Sequence, residues 1–102
     1  MQEYFQGDII RISSFKERFL IVSKNAFIRS TDMFHVCPFF DQYPEGPLHI
    51  PAKGAGGTTG VAIAEQIKLI DPRTRRIRKT DHLPYRDIME ISDAIQGVFE
   101  YD

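Results

Sequence analysis

Short runs of branched apolar residues, broken by polar turns, fill most of this 102-residue chain. Asp8 to Ser13 and Phe19 to Lys24 read as two strands, rich in Ile, Leu and Val and joined by a short polar turn. In the first, Ile10 and Ile12 alternate with Ile9 and Arg11, so one sheet face can be buried and the other wet. Asn25 to Asp32 reads as a helical turn or a loop, and Phe34 to Phe39 as a third strand. Pro38 lacks an N–H, which places it at a strand end or edge. Pro44, Gly46 and Pro47 make Asp41 to Pro47 a loop, and Leu48 to Pro51 a short strand at most. Gly54 to Gly60 reads as a flexible connection into one long strand, Val61 to Asp71, with a bend or bulge near Gln66. Pro72 ends that strand, and Arg76 to Thr80 pairs back as another.

Only the last segment changes period. Ile88, Ile91, Ile95, Val98 and Phe99 recur at helical spacing and form one apolar stripe, with Asp87, Glu90 and Asp93 off it. Pro84 suits the first helical position, where a missing N–H costs nothing. Strands followed by one terminal helix give a small, mainly β domain. There is no internal repeat or linker, so residues 1–102 read as a single domain.

Composition narrows the class. An apolar fraction of 42% with eight Phe supports a packed core rather than disorder. A net charge of −1 argues against a general nucleic-acid coat, which needs a broad basic surface. The charge is uneven, however: Arg73, Arg75, Arg76, Arg78 and Lys79 form a basic run, while the C-terminal segment is acidic. The one cysteine, Cys37, cannot form an internal disulfide; it reads as a small buried hydrophobe, and the chain fits a reducing cytoplasm. No apolar run is long enough to span a bilayer, and the N-terminus lacks a signal peptide's apolar core.

Two possible sites read better as ordinary structure. The glycine segment 54–60 has no Lys after its last Gly and leads into a strand, unlike a phosphate-binding P-loop. His35, His49 and His82 match no compact zinc spacing, so no metal or cofactor is expected. Asp8 is a turn residue at a strand start, with nothing in the sequence to pair it with Asp41.

The order of four segments carries more information. These are Gly7-Asp8-Ile9-Ile10, Arg18-Phe19-Leu20-Ile21-Val22-Ser23, Gly60 to Asp71 with its basic continuation, and the Leu83-Pro84 step into the helix. Together they resemble the MazF/PemK family of bacterial toxin–antitoxin systems over nearly the whole chain. The resemblance implies a small SH3-like, PemK-like β-barrel with a C-terminal α-helix, acting as a homodimer on single-stranded RNA and restrained by a cognate antitoxin. It implies a sequence-specific, metal-independent endoribonuclease leaving 2′,3′-cyclic phosphate and 5′-hydroxyl ends. The nucleophile is the substrate's own 2′-OH.

In that family an Arg just before a strand of this type is central to cleavage, which points to Arg18, with Phe19 at a position usually held by Pro. A fixed guanidinium stabilises the charge that builds on the phosphorane and can protonate the leaving 5′-oxygen. On residues alone Arg18 would be a surface charge. Glu17 is the candidate proton acceptor or Arg18 partner; Arg29, Arg75 and Arg76 are candidate RNA contacts. For the basic run, a solvated strand and turn is the alternative reading. Two departures stand out: the first inter-strand loop is short, and Phe40 follows Val36-Cys37-Pro38-Phe39 where the family commonly has Thr. Phe40 cannot donate to a phosphate but can stack on a splayed base; core packing or a dimer contact is the alternative. Ser13, Ser14, Asp41 and Thr58 are positional substitutes for the lost hydroxyl. The same fold can also serve a non-catalytic member that acts by binding protein.

Overall fold

The computed structural model describes residues 3–102. Seven strands, β1 (Asp8–Ile12), β2 (Arg18–Ile21), β3 (Phe34–Phe40), β4 (His49–Lys53), β5 (Thr59–Ile63), β6 (Lys68–Ile70) and β7 (Ile77–His82), form one antiparallel sheet. Its path is β4-β5-β3-β2-β1-β7, with β6 also on β3. Two helices, α1 (Asn25–Thr31) and α2 (Tyr85–Val98), complete the domain, with a 3₁₀ turn at Pro72–Thr74. No described helix is long and apolar enough to cross a membrane.

Alternation along each strand builds a core on both faces. Ile9, Leu20, Cys37, Phe39 and Ala62 point one way and meet Ile91 of α2, with Ile88 and Ile95 packed alongside. Ile10, Ile12, Phe19, Ile21, Phe34 and Val36 point the other way and pack with Ile70. Between them these two clusters take nearly all the branched apolar residues that marked the strands. The α2 stripe is buried only over its first half. Val98 and the cap residue Phe99 are 43% and 75% exposed and join neither core cluster. The helix starts at Tyr85, with Pro84 as the extended cap residue one position earlier than expected.

The mainly β expectation holds, but the barrel is not closed by strand pairing: β4 and β7 are opposite ends of the sheet path. A loop seals the seam instead. The turn between β4 and β5 bonds back onto the end of β7. The Asp81 carboxylate accepts the N–H groups of Gly56 (2.8 Å) and Thr58 (3.0 Å), and the Ala55 N–H donates to the His82 carbonyl (2.8 Å). Burial disfavours ionised Asp81, but these bonds, the Thr58 side chain and the His82 N–H outweigh it and hold the carboxyl well below its usual range. A Cβ on Gly54 would stand 2.3 Å from that carboxylate, so glycine is required there for close approach. The flexible connection expected over Gly54 to Gly60 is therefore an ordered closure.

Two further differences share one cause. Residues 61–71 form two strands, not one, separated by a turn in which the Gln66 N–H donates to the Ile63 carbonyl (3.1 Å). On the same edge of β3, β5 pairs with Phe39 and Phe40, and β6 with Phe34 to Val36. Pro38 lies in the gap between those partners, inside β3 rather than at its end. A residue without an N–H fits where the ladder is interrupted. Pro51, exposed in β4, is tolerated because β4 is an edge strand.

Candidate functional site

Arg18 opens β2, and the register sets it between Arg11 of β1 and Phe39 of β3. This end of the sheet face is not covered by α2. It forms a cleft of about 260 Å³ lined by Arg11, Lys16, Glu17, Arg18, Phe39, Phe40 and Asp41. Three cations and two carboxylates therefore face one small volume.

The Arg18 guanidinium is fixed on its inner side. It donates to the Thr59 carbonyl (3.1 Å) and lies over the Phe39 ring, 5.8 Å from its centroid. Its side chain is only 17% exposed, whereas that of its ion-pair partner Asp41 is 87% exposed. Arg18 thus presents one immobilised face to the cleft, answered by a carboxylate that solvent or an anion can displace. An ion pair with so exposed a partner is worth at most about 1 kcal/mol. Arg11 donates to the Lys16 carbonyl (2.6 Å), which ties the short 13–17 turn down over the cleft. Glu17 follows on that turn and lines the same space.

Phe40 also lines the cleft, stacked nearly parallel on Tyr43 (5.2 Å, 9°). Tyr43 in turn meets His49 edge-on at 4.8 Å. The His49 ring nitrogens lie 2.8 Å from the Pro44 carbonyl and 3.0 Å from a Glu65 carboxylate oxygen. The bond to Glu65, then that to Pro44, raises the His49 pKa. The loop after β3, which carries Asp41, is therefore pinned from behind.

The expected site residues separate in space. Arg18, Glu17 and Phe40 come together in the cleft. Arg29 lies on α1, which packs at the His35 end of β3 through Phe27 (5.0 Å), roughly 17 Å along the strand from Phe40. Arg75 covers the Phe15 ring (5.7 Å), which packs with the core of the opposite face. Arg76 precedes β7, and its carbonyl accepts the Ser13 N–H (3.0 Å). Of the four positions proposed to stand in for the lost hydroxyl, only Asp41 lines the cleft, and it brings a carboxylate rather than a hydroxyl; Thr58 is committed to Asp81. Asp8 is distant in role as well as place: it is buried, with Lys79 (3.2 Å) and His82 (2.7 Å) as partners. The three histidines have separate partners, Ser23 for His35, Glu65 for His49 and Asp8 for His82. Among the described residues no group of three or more His, Cys, Asp or Glu is placed to hold a metal ion. Arg11 had no expected role, and its one signal in the sequence is a charge within the apolar run of the first strand.

Residues 11–99 match the family model described as PemK-like, MazF-like toxin of type II toxin–antitoxin system. The chain belongs to the PemK/MazF toxin family. Solved structures agree on the fold. The chain is similar to the protein in a MazE–MazF crystal structure from Deinococcus radiodurans, with TM-score 0.84, 17% identity and all of each chain covered. It is similar to an endoribonuclease from a mycobacterial species, with TM-score 0.78, 20% identity, and 95% and 91% of the two chains covered. A mycobacterial endoribonuclease in complex with its cognate antitoxin aligns at TM-score 0.79 and 18% identity, over 98% of this chain and 100% of that one. No curated protein matches the chain. At 17–20% identity these structures show a shared fold.

Proposed function

We propose that this toxin-family protein is a metal-independent endoribonuclease that cuts single-stranded RNA at short sequences, working as a homodimer with an antitoxin as its restraint. The observation that carries the reading is the Arg18 guanidinium. It is held by a backbone carbonyl and an aromatic ring and aimed into a cleft where only an exposed carboxylate meets it.

The chemistry follows from that geometry. An RNA phosphate entering the cleft displaces Asp41 and takes its place on Arg18. The substrate's 2′-oxygen attacks the phosphorus as its proton passes to Glu17, forming the P–O2′ bond. The phosphorane gains negative charge, which the immobilised guanidinium stabilises without reorganising. The P–O5′ bond then breaks, the leaving oxygen takes a proton from the Arg18 guanidinium, and the proton held on Glu17 passes back through solvent to restore Arg18. A 2′,3′-cyclic phosphate and a 5′-hydroxyl result. Phe40 supports the reading as a base-stacking surface beside the reacting phosphate, and Arg76 as a backbone contact. An antitoxin segment rich in Asp and Glu would compete for the same guanidinium.

The substitution of Phe40 for the family's usual Thr favours a second reading, a non-cutting member that acts by binding protein. The discriminating experiment is incubation of a long unpaired RNA in EDTA with the wild type and with Arg18→Ala. Discrete cuts ending in 2′,3′-cyclic phosphate, lost in the variant, are expected. Cuts that persist in the variant would remove Arg18 from the mechanism, and no cutting by the folded wild type would favour the binding-only reading.

A further inference from the structure

The pairing register places three arginines side by side across the sheet. Arg78 of β7 is directly opposite Arg11 of β1, and Arg11 is directly opposite Arg18 of β2. Directly paired residues project from the same face, with Cβ atoms about 5 Å apart, and like charges in that arrangement are destabilising. The row ends on Phe39, beneath the guanidinium of Arg18. Among the described residues, Asp41 is the sole carboxylate paired with any member of the row, and it pairs with Arg18. Arg11 spends one N–H on a backbone carbonyl, which leaves its charge uncompensated. The Arg78 side chain is exposed, with no ion pair or side-chain hydrogen bond found among the described residues.

A protein of net charge −1 that concentrates uncompensated cations on one sheet face is positioned to meet a polyanion there. We infer that Arg11 and Arg78 form a phosphate track for single-stranded RNA, crossing β1 and β7 and delivering the backbone to Arg18. This rests on the nuclease reading and adds to it the path of the substrate. The two strand spacings from Arg78 to Arg18 amount to about 10 Å, so the row offers phosphates on one side of the scissile position separate guanidinium contacts. RNA is favoured over an acidic peptide because the cleft at the Arg18 end of the row is also lined by Phe40, stacked on Tyr43, where a base can stack.

The test measures binding of a mixed-sequence 2′-O-methyl oligonucleotide, which the proposed reaction cannot cut, from 50 to 200 mM KCl. Removing one guanidinium from a phosphate should make the slope of log K against log salt shallower by about 0.7. Arg11→Gln and Arg78→Gln are each expected to show that change, and the double variant about twice as much. Glutamine at position 11 keeps a donor for the Lys16 carbonyl, and relief of like-charge repulsion should leave both melting temperatures at or above wild type. Lys24→Gln, which removes the same charge at the exposed start of α1, should leave the slope unchanged. A wild type that binds and cuts RNA, with slopes unaffected at Arg11 and Arg78, would overturn the track alone. The same unaffected slopes, together with failure of the variants to bind an oligo-glutamate peptide that the wild type binds, would make the row a protein-docking surface instead. A wild type that neither binds nor cuts RNA would overturn the track and the nuclease reading together.

Discussion

Gly60 ties the stability of the sheet to the position of Arg18. It is buried in β5, and a Cβ built on it would stand 2.5, 2.7 and 2.8 Å from three carbons of the Phe39 ring. Carbon atoms pack at about 3.5–4.0 Å, so a whole ring edge must retreat by roughly 1 Å. Phe39 is 1% exposed and enclosed by its core cluster, so no open space receives it. Gly60→Ala should therefore cost about 1–3 kcal/mol through overpacking. For a domain of this size that lowers the melting temperature by about 4 to 20 °C. Phe39 also underlies the Arg18 guanidinium, and Thr59, which receives an Arg18 hydrogen bond, is the neighbouring residue. RNA cleavage should fall even at temperatures where the variant is fully folded. Thermal melts of Gly60→Ala, Phe39→Leu and the double variant form a cycle that isolates the steric interaction. A smaller side chain at position 39 should recover part of the loss, with a coupling of about 0.5 kcal/mol or more. A melting temperature within about 2 °C of wild type, or strictly additive losses, would refute the steric reasoning.

Cys37 is fully buried and burial pushes its thiol up to about 12, so native protein at pH 8 should resist a thiol reagent that labels it completely in guanidinium. Rapid labelling of the native state would contradict this. Protonated His49 can donate to Pro44 and Glu65 at once, whereas the neutral ring has a single N–H. Because folding raises its pKa, the resulting stability is fully present below the unfolded value of 6.5 and fades as pH rises through the higher folded value. Melts of wild type and His49→Gln should accordingly differ most in acid and converge in base; a constant difference would contradict this role of His49. Asp41→Asn removes the carboxylate that competes for Arg18, and RNA binding should tighten about two- to five-fold, the scale of an exposed ion pair. Weaker binding by that variant would mean that Asp41 contacts RNA favourably rather than shielding Arg18.

What could be seen in the sequence depended on the range of the interaction. The branched apolar run of Asp8–Ile12 and the helical repeat of Ile88, Ile91 and Ile95 are local patterns, and both elements formed, but the strand face expected to be wet is core at Ile9 because α2 covers it. The ordered 54–58 turn was hidden because its acceptor, Asp81, lies 25 residues from Gly56. The division of residues 61–71 depends on Pro38 in a strand paired with both halves, a relation that periodicity within 61–71 does not record. Val98 and Phe99 continue the α2 stripe in sequence but join neither core cluster. At the site, the family resemblance singled out Arg18, whereas its pairing with Asp41 spans 23 residues and emerged only from the fold. Arg11 was hidden in the same way, because the row it joins exists only across strands.

The central claim, that the substrate's own hydroxyl is activated against a phosphate held by Arg18, is tested most directly by a single-atom change in the RNA. An unpaired RNA with a mapped cut site would be compared with the same strand lacking only the 2′-oxygen at that nucleotide, both in EDTA. The account predicts that cutting at the site disappears while binding is retained, and that the unmodified strand yields the cyclic phosphate. A cut at the 2′-deoxy position would show that the attacking oxygen comes from elsewhere, and would contradict the mechanism built on this cleft.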